Sequence, residues 1–237
     1  MSQNKIHILS TRPLDPALVE EAAKQDIVVD EISFISTETI VNSAITERIK
    51  HLLKGRLNIV FTSMNAVEAV RTYLQGSVNL NIYCIGNTTK NLIEKYFGAK
   101  NIAGTADNAS DLAGKIIENT DVRNVVFFCG DQRRNELPEK LKTNDISVEE
   151  IVVYKTIETS QVVPQLYDAI LFYSPSSVNS FFQKNTVSST TNLFAIGATT
   201  ADALKHFTKQ PVIIAEFPGK ENLARLAFNH FNKSKIT

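Results

Sequence analysis

The sequence predicts an α/β protein of two similar domains, each a parallel sheet flanked by helices in the flavodoxin-like manner. Three observations carry this. Short apolar, β-branched runs alternate with amphipathic stretches, as βαβ units require. Residues 58–116 recur as 169–227 without a gap. Phe61 meets Phe172, Ser63 meets Ser174, Val67 meets Val178, and Ile85-Gly86-x-Thr88-Thr89 meets Ile196-Gly197-x-Thr199-Thr200. A weaker repeat at a different spacing carries Leu18 onto Leu137, Asp26-Ile27 onto Asp145-Ile146, and Thr37 onto Thr156. The order is A-B-A′-B′, and two copies are too few for a solenoid. Two facing domains with a ligand in the cleft are the expectation.

The elements follow in order. Ile6–Ser10 reads as a strand and 16–24 as a helix with Leu18, Ala22 and Ala23 apolar. The next strand is 27–34, and 39–54 is a helix with Ile40, Ala44, Ile45, Ile49 and Leu52 on one face, stopped by Gly55. Strands at 58–62 and 81–85 each precede a helix, 65–74 and 88–97, the latter closed by Gly98. A short strand at 101–103, a helix at 110–118, a strand at 124–129, a helix at 136–141 and a long strand at 146–155 complete the first copy. The second copy repeats the grammar: strands at 170–173, 193–196 and 212–215, and helices at 178–182, 199–207 and 222–231. The polar segments 35–38 and 156–164 read as matched joints. By itself the pattern leaves open whether each domain is A with B or the cross-paired A with B′.

Composition narrows the function classes. Hydrophobic residues make up 43% of 237, ample for packed cores. Lys+Arg and Asp+Glu are 25 each, which argues against a broad nucleic-acid or membrane footprint. An anionic small ligand remains compatible, because backbone amides and hydroxyls bind anions without net positive charge. The N-terminal MSQNKIHILS reads as a first strand and not a signal peptide, and no apolar run approaches the ~18 residues of a membrane span. Cys84 and Cys129 fall in apolar strands and read as buried thiols, and His7, His51, His206 and His230 have no ligand spacing. No metal site is expected, in a soluble, cytoplasmic monomer.

In open parallel sheets ligands bind beyond the carboxyl ends of strands, at helix N-termini. The residues there are Thr11, Arg12 and Pro13; Thr62, Ser63 and Asn65; Gly86, Asn87, Thr88 and Thr89; Gly130 to Arg134; Ser174, Pro175, Ser176 and Ser177; and Gly197, Thr199 and Thr200. Taken singly, each hydroxyl or amide reads as a helix cap. Taken together, they suit a ligand with many carboxylates. No nucleophile elbow, P-loop or dinucleotide fingerprint is present. Tyr154 ends the apolar run Ile151-Val152-Val153 beside a joint. It reads either as a packed aromatic or as a proton donor to a ligand oxygen.

Six motifs in order carry a resemblance. They are Phe61-Thr62-Ser63-x-Asn65-Ala66-Val67-Glu68-Ala69; Ile85-Gly86-Asn87-x-Thr89; Gly130-Asp131-x-x-Arg134-x-Glu136-Leu137-Pro138; Val152-Val153-Tyr154-Lys155-Thr156; Phe172-x-Ser174-Pro175-Ser176; and Ala195-Ile196-Gly197-x-Thr199-Thr200-Ala201. With Thr11-Arg12-Pro13, the chain resembles the uroporphyrinogen-III synthase family from about residue 6 to its end.

The resemblance implies the cross-paired fold, with residues 1–35 and 160–237 in one domain and 38–153 in the other. A two-strand connection would run through linkers at 35–38 and 154–160. It implies a cofactor-independent cyclising lyase of haem biosynthesis. Its substrate is hydroxymethylbilane, a linear tetrapyrrole polycarboxylate, which closes to uroporphyrinogen III with loss of water and inversion of ring D. Tyr154 matches the family's tyrosine that assists hydroxide departure. Arg12, Thr62, Ser63, Asn65, Asn87, Thr88, Thr89, Arg134, Ser174, Ser176, Ser177, Thr199 and Thr200 are the expected substrate-binding residues. The competing reading is a non-enzymatic two-domain binding or regulatory protein for a carboxylated small ligand. A nucleotide-dependent flavodoxin-like enzyme is a weaker third.

Overall fold

The computed structural model describes residues 5–74, 79–217 and 219–233, with Asn87 and Lys233 described for the backbone alone. The element order is β1 (Ile6–Ser10), α1 (Pro16–Ala23), β2 (Ile27–Glu31), β3 (Ile35–Thr39), α2 (Ser43–Leu52), β4 (Leu57–Phe61), α3 (Met64–Arg71), β5 (Leu80–Ile85) and α4 (Asn87–Phe97). A 3-10 turn at Ala99–Asn101 leads to β6 (Ile102–Ala106), α5 (Ala109–Glu118), β7 (Asn124–Gly130), α6 (Glu136–Lys142) and β8 (Ser147–Glu158). The chain ends with β9 (Ala169–Phe172), α7 (Pro175–Phe182), β10 (Asn192–Ala195), α8 (Ala198–Lys205), β11 (Val212–Ile214) and α9 (Lys220–Lys233). Two compact units result, Met1–Ser36 with Ile157–Thr237, and Thr37–Thr156.

The first unit holds a parallel sheet in the order β11-β10-β9-β1-β2. Its strands alternate between two apolar layers. Ile8, Leu171 and Phe194 face Leu18 and Ala22 of α1 and Leu223, Ala224 and Phe228 of α9. Leu9, Ile170, Phe172 and Leu193 face Val178 and Phe181 of α7 and Leu204 of α8. Burial on both faces is why these strands read as continuous apolar runs.

The second unit has the order β3-β8-β7-β4-β5-β6. Ile59, Phe61, Ile82, Cys84 and Phe128 pack with α2, α3 and α4, while Val60, Tyr83, Phe127 and Cys129 pack with α5 and α6. Repeat segment A (β1, β2) therefore shares a sheet with B′ (β9 to β11), and B (β4 to β6) shares one with A′ (β7, β8). The pairing left open by the pattern is the crossed one. In each sheet the strand order reverses once, at β1/β9 in the first unit and β4/β7 in the second. Such reversals are where open α/β sheets receive ligands.

Several elements depart from the sequence expectation for local reasons. The segment 35–39 is a strand, because Ile35, Thr37 and Thr39 are β-branched and β8 supplies the ladder. The helix expected over 39–54 starts only at Ser43, where the Asn42 side chain accepts the Ile45 N–H at 2.8 Å. The joint expected from residue 156 begins as strand, since β8 runs on to Glu158. Gly55 follows α2 without a left-handed φ. The left-handed positions are Asp26 (φ 58°) and Asp145 (φ 59°), which are equivalent in the weaker repeat, and Gly86 and Gly98. Aspartate tolerates that region better than most residues.

Candidate active site

The carboxyl edge of the second unit is built around Tyr154. Its hydroxyl donates to Ser63 Oγ at 3.1 Å. Ser63 is the N-cap of α3, and its Oγ also accepts the Asn65 N–H at 3.1 Å. The β7/β8 register slips between Cys129, paired with Val152, and Gly130, paired with Tyr154. Val153 is the extra residue of that bulge. Both Val153 and Tyr154 consequently pack on the layer with α3, where strict alternation would have parted them. The Tyr154 ring lies over Gly130, at the β4/β7 reversal. Beyond it, the Asp131 N–H donates to the Tyr154 carbonyl at 3.1 Å, and Asp131 Oδ1 accepts the Thr156 N–H at 2.9 Å.

Tyr154 is half-buried. Burial pushes its phenol above the ordinary value of 10, against the pull of the Ser63 hydrogen bond. The hydroxyl thus stays protonated through neutral pH. The thiols Cys84 and Cys129 are buried and free, and burial pushes both up to about 11. They are thiols at neutral pH and poor nucleophiles.

Arg133, next along the loop, pairs with Glu150, which Lys142 also reaches at 3.0 Å. Arg134 is exposed and has no ion pair among the described residues. Burial raises the Glu150 carboxyl, but Arg133 and Lys142 outweigh it and leave the value below the ordinary 4.5. A lowered carboxylate adds stability above the unfolded-state value and loses it as the pH falls through the folded-state value. Glu150→Gln is therefore expected to cost about 1 kcal/mol at pH 7 and nearly nothing at about pH 3. Urea unfolding at the two pH values checks this; an equal loss at both would remove the ion pairs as the cause.

The helix N-termini differ in how they are capped, and Asn135 before α6 makes no side-chain cap hydrogen bond. Asp15, Asn42, Ser63, Asn108 and Ser174 cap α1, α2, α3, α5 and α7 with their side chains. At α7, Ser177 completes a capping box with Ser174 and is buried, as is Ser176. Ser174 and Ser177 are held by their own helix. By contrast α4 and α8, the Gly-x-Thr-Thr helices, begin at Gly86 and Gly197 with no side-chain cap. Their first-turn N–H groups have no side-chain acceptor at the cap, although the Thr200 N–H donates to the Gly197 carbonyl at 3.1 Å, and the positive dipole end is open to another acceptor. Thr88 and Thr199 are exposed there, while Thr89 and Thr200 turn inward. Asn87 begins α4, and its side chain lies outside the described residues.

Thr200 Oγ1 is buried with no hydrogen-bond partner. Thr200→Val is accordingly expected to leave the melting temperature unchanged or raise it, since it removes an unsatisfied hydroxyl at nearly constant shape. A fall of several degrees would mean that the hydroxyl has a partner.

In the first unit, Arg12 is exposed after β1, and Thr11 Oγ1 donates back to the Leu171 carbonyl at 2.8 Å, across the β1/β9 reversal. Tyr173, at the end of β9, was not anticipated. Burial pushes its phenol up to about 12 despite nearby Ser10 and Arg12, and its hydroxyl has no hydrogen bond of normal geometry. Thr62 and Asn65 are half-buried at the head of α3. The structure thus joins Tyr154, Ser63 and Asn65 directly. Gly130 and Asp131 stood among the residues beyond the strand ends and in the third motif, but not among the expected substrate-binding residues. A glycine ending the apolar run 125–129 was their sequence signal.

Among the described residues, no group of three or more His, Cys, Asp or Glu could hold a metal ion, and no helix is long and apolar enough to cross a membrane.

Comparison with known proteins bears on what this edge serves. A family model described as uroporphyrinogen-III synthase HemD matches residues 16–225. The uroporphyrinogen-III synthase of Schizosaccharomyces pombe is 23% identical over 94% of this chain and 96% of its own. That of Saccharomyces cerevisiae is 32% identical over 43% of each chain. The crystal structure of uroporphyrinogen-III synthetase from Helicobacter pylori superposes with a TM-score of 0.67, covering 95% of this chain and 99% of that one at 16% identity. A mutant uroporphyrinogen III synthase from the extreme thermophile Thermus thermophilus gives 0.59 over 97% and 99% at 13% identity. At such identities the structural likeness speaks for the fold, while the family match spans nearly all the elements that build the two carboxyl edges. Because that match covers residues 16–225 of 237, the chain belongs to the uroporphyrinogen-III synthase family.

Proposed function

We propose that the chain cyclises hydroxymethylbilane to uroporphyrinogen III, with Tyr154 as the proton donor and with Arg12, Thr62, Asn87, Thr88, Thr89, Arg134, Thr199, Thr200 and the neighbouring amides binding carboxylate arms. The observation that supports this most is the Tyr154 hydroxyl, held protonated over the reversal of a parallel sheet. The phenol gives a proton to the departing hydroxyl, which leaves as water. The pyrrole N–H of the same ring surrenders the proton that restores the phenol. The azafulvene so formed closes through a spiro intermediate, which inverts ring D.

Two uncapped glycine-headed helices, one in each unit, offer amides to acetate and propionate groups without needing a cluster of arginines. Orientation is the main task, because the linear tetrapyrrole also closes unaided to the non-inverted isomer. A roughly 100-fold preference for the spiro route takes only ~2.7 kcal/mol of differential binding.

The test is incubation of purified protein with freshly prepared hydroxymethylbilane, followed by isomer separation. The type III product is expected in excess. Type I alone, at the uncatalysed rate, rejects the proposal. Binding without any change in isomer ratio would turn it into the binding-protein reading.

A further inference from the structure

We infer that Gly130 is a positioning residue for Tyr154, and that the missing side chain there is what aims the phenol at Ser63. This rests on the reading above, which gives Tyr154 its part in the reaction. Gly130 ends β7 and is the ladder partner of Tyr154. A Cβ on Gly130 would lie 2.5 Å from Tyr154 Cζ, 2.6 Å from Cε2 and 2.7 Å from the hydroxyl oxygen. Carbon atoms in contact sit at about 3.5–4.0 Å. The backbone of Gly130 is not in the left-handed region, so the position needs glycine for room and not for conformation.

Two further contacts make the placement specific. The bulge at Val153 swings Tyr154 onto the layer of α3, and without the extra residue the ring would face α5 and α6. Asp131 grips the backbone on either side, through its N–H to the Tyr154 carbonyl and its carboxylate to the Thr156 N–H. With its backbone held on either side, the ring lies across a bare Cα. The atoms that a new methyl would meet are at the far end of the ring, which can rotate away. An alanine should displace the phenol and leave β7 standing.

Gly130→Ala is expected to lower kcat for uroporphyrinogen III formation to within about threefold of Tyr154→Phe, with KM changed less than about twofold. The double variant should be no slower than the slower single one, because both act through one hydroxyl. In tyrosine ¹³Cζ NMR, the Tyr154 resonance, assigned by its loss in Tyr154→Phe, should move in Gly130→Ala while the other tyrosines stay. Wild-type kcat, multiplicative losses in the double variant, or an unmoved Tyr154 resonance would each overturn the inference. Should the wild-type protein yield only type I isomer, the function reading fails, and the resonance alone decides the role of Gly130. Should Gly130→Ala not fold, adding Tyr154→Ala is expected to restore folding, and a double variant that also fails to fold counts against the inference.

Discussion

Tyr154→Phe is expected to lower kcat roughly 100-fold while changing KM less than about twofold. The loss sits at the low end for general-acid catalysis because the hydroxyl also leaves unaided. The ring fills the same space over Gly130 in either residue, so packing on the layer of Ile59, Phe61 and Phe128 survives. What is lost is one hydrogen bond to Ser63 Oγ, and Ser63 keeps its role as cap of α3. Stability should therefore fall by about 1 kcal/mol or less. The alkaline limb of the wild-type kcat profile should lie above pH 10, because burial raises the phenol, and should vanish in the variant. Turnover within a factor of about two of wild type would remove Tyr154 from the mechanism. A large loss of stability alongside the lost turnover would mark it as a structural residue.

Phe61→Ala should produce the largest loss of stability, about 3–5 kcal/mol in urea unfolding. Phe61 is fully buried on β4, stacked on Phe128 at 5.6 Å and 22°, and tilted against Phe97 at 5.8 Å. Its neighbours come from the central strand β7 and from α4, so no single element can relax into the space. Part of the expected cost is this cavity and part is lost aromatic contact. The position also ends the strand that delivers Thr62 and Ser63 to the carboxyl edge. Phe61→Leu keeps most of the volume and should cost less than about 1.5 kcal/mol. A loss below that figure for the alanine variant would mean that the layer collapses around the gap.

Much of the architecture was legible in the amino-acid order. Short continuous apolar runs and amphipathic stretches gave the succession of strands and helices. The two repeats gave two similar sheets, and Asp26 and Asp145 show how far the correspondence goes, since both adopt the same rare backbone turn. The chain passes from one unit to the other at 36/37 and 156/157, inside the joints read at 35–38 and 156–164, but the pattern did not show that 35–39 and 156–158 are strand, because polar, exposed strands lack the apolar run that marks a strand in a buried sheet. They are strands because a neighbour supplies hydrogen bonds, and no local signal encodes a neighbour.

The candidate site was legible as a set of residue types and not as an arrangement. Ser63 and Ser174 looked alike in sequence with Thr88 and Thr199, yet the serines cap their own helices and the glycine-headed helices carry no such cap. Capping depends on side-chain and backbone angles within one turn, which the residue type permits but does not enforce. Sequence alone determined the family, the repeat and Tyr154 as a phenol beside a joint, although the strand runs four residues past it to Glu158. Tertiary structure decided where that phenol points. One bulge residue reverses the face of everything after it, and its place is set by how β7 and β8 pair. Such long-range register is a property of two strands together.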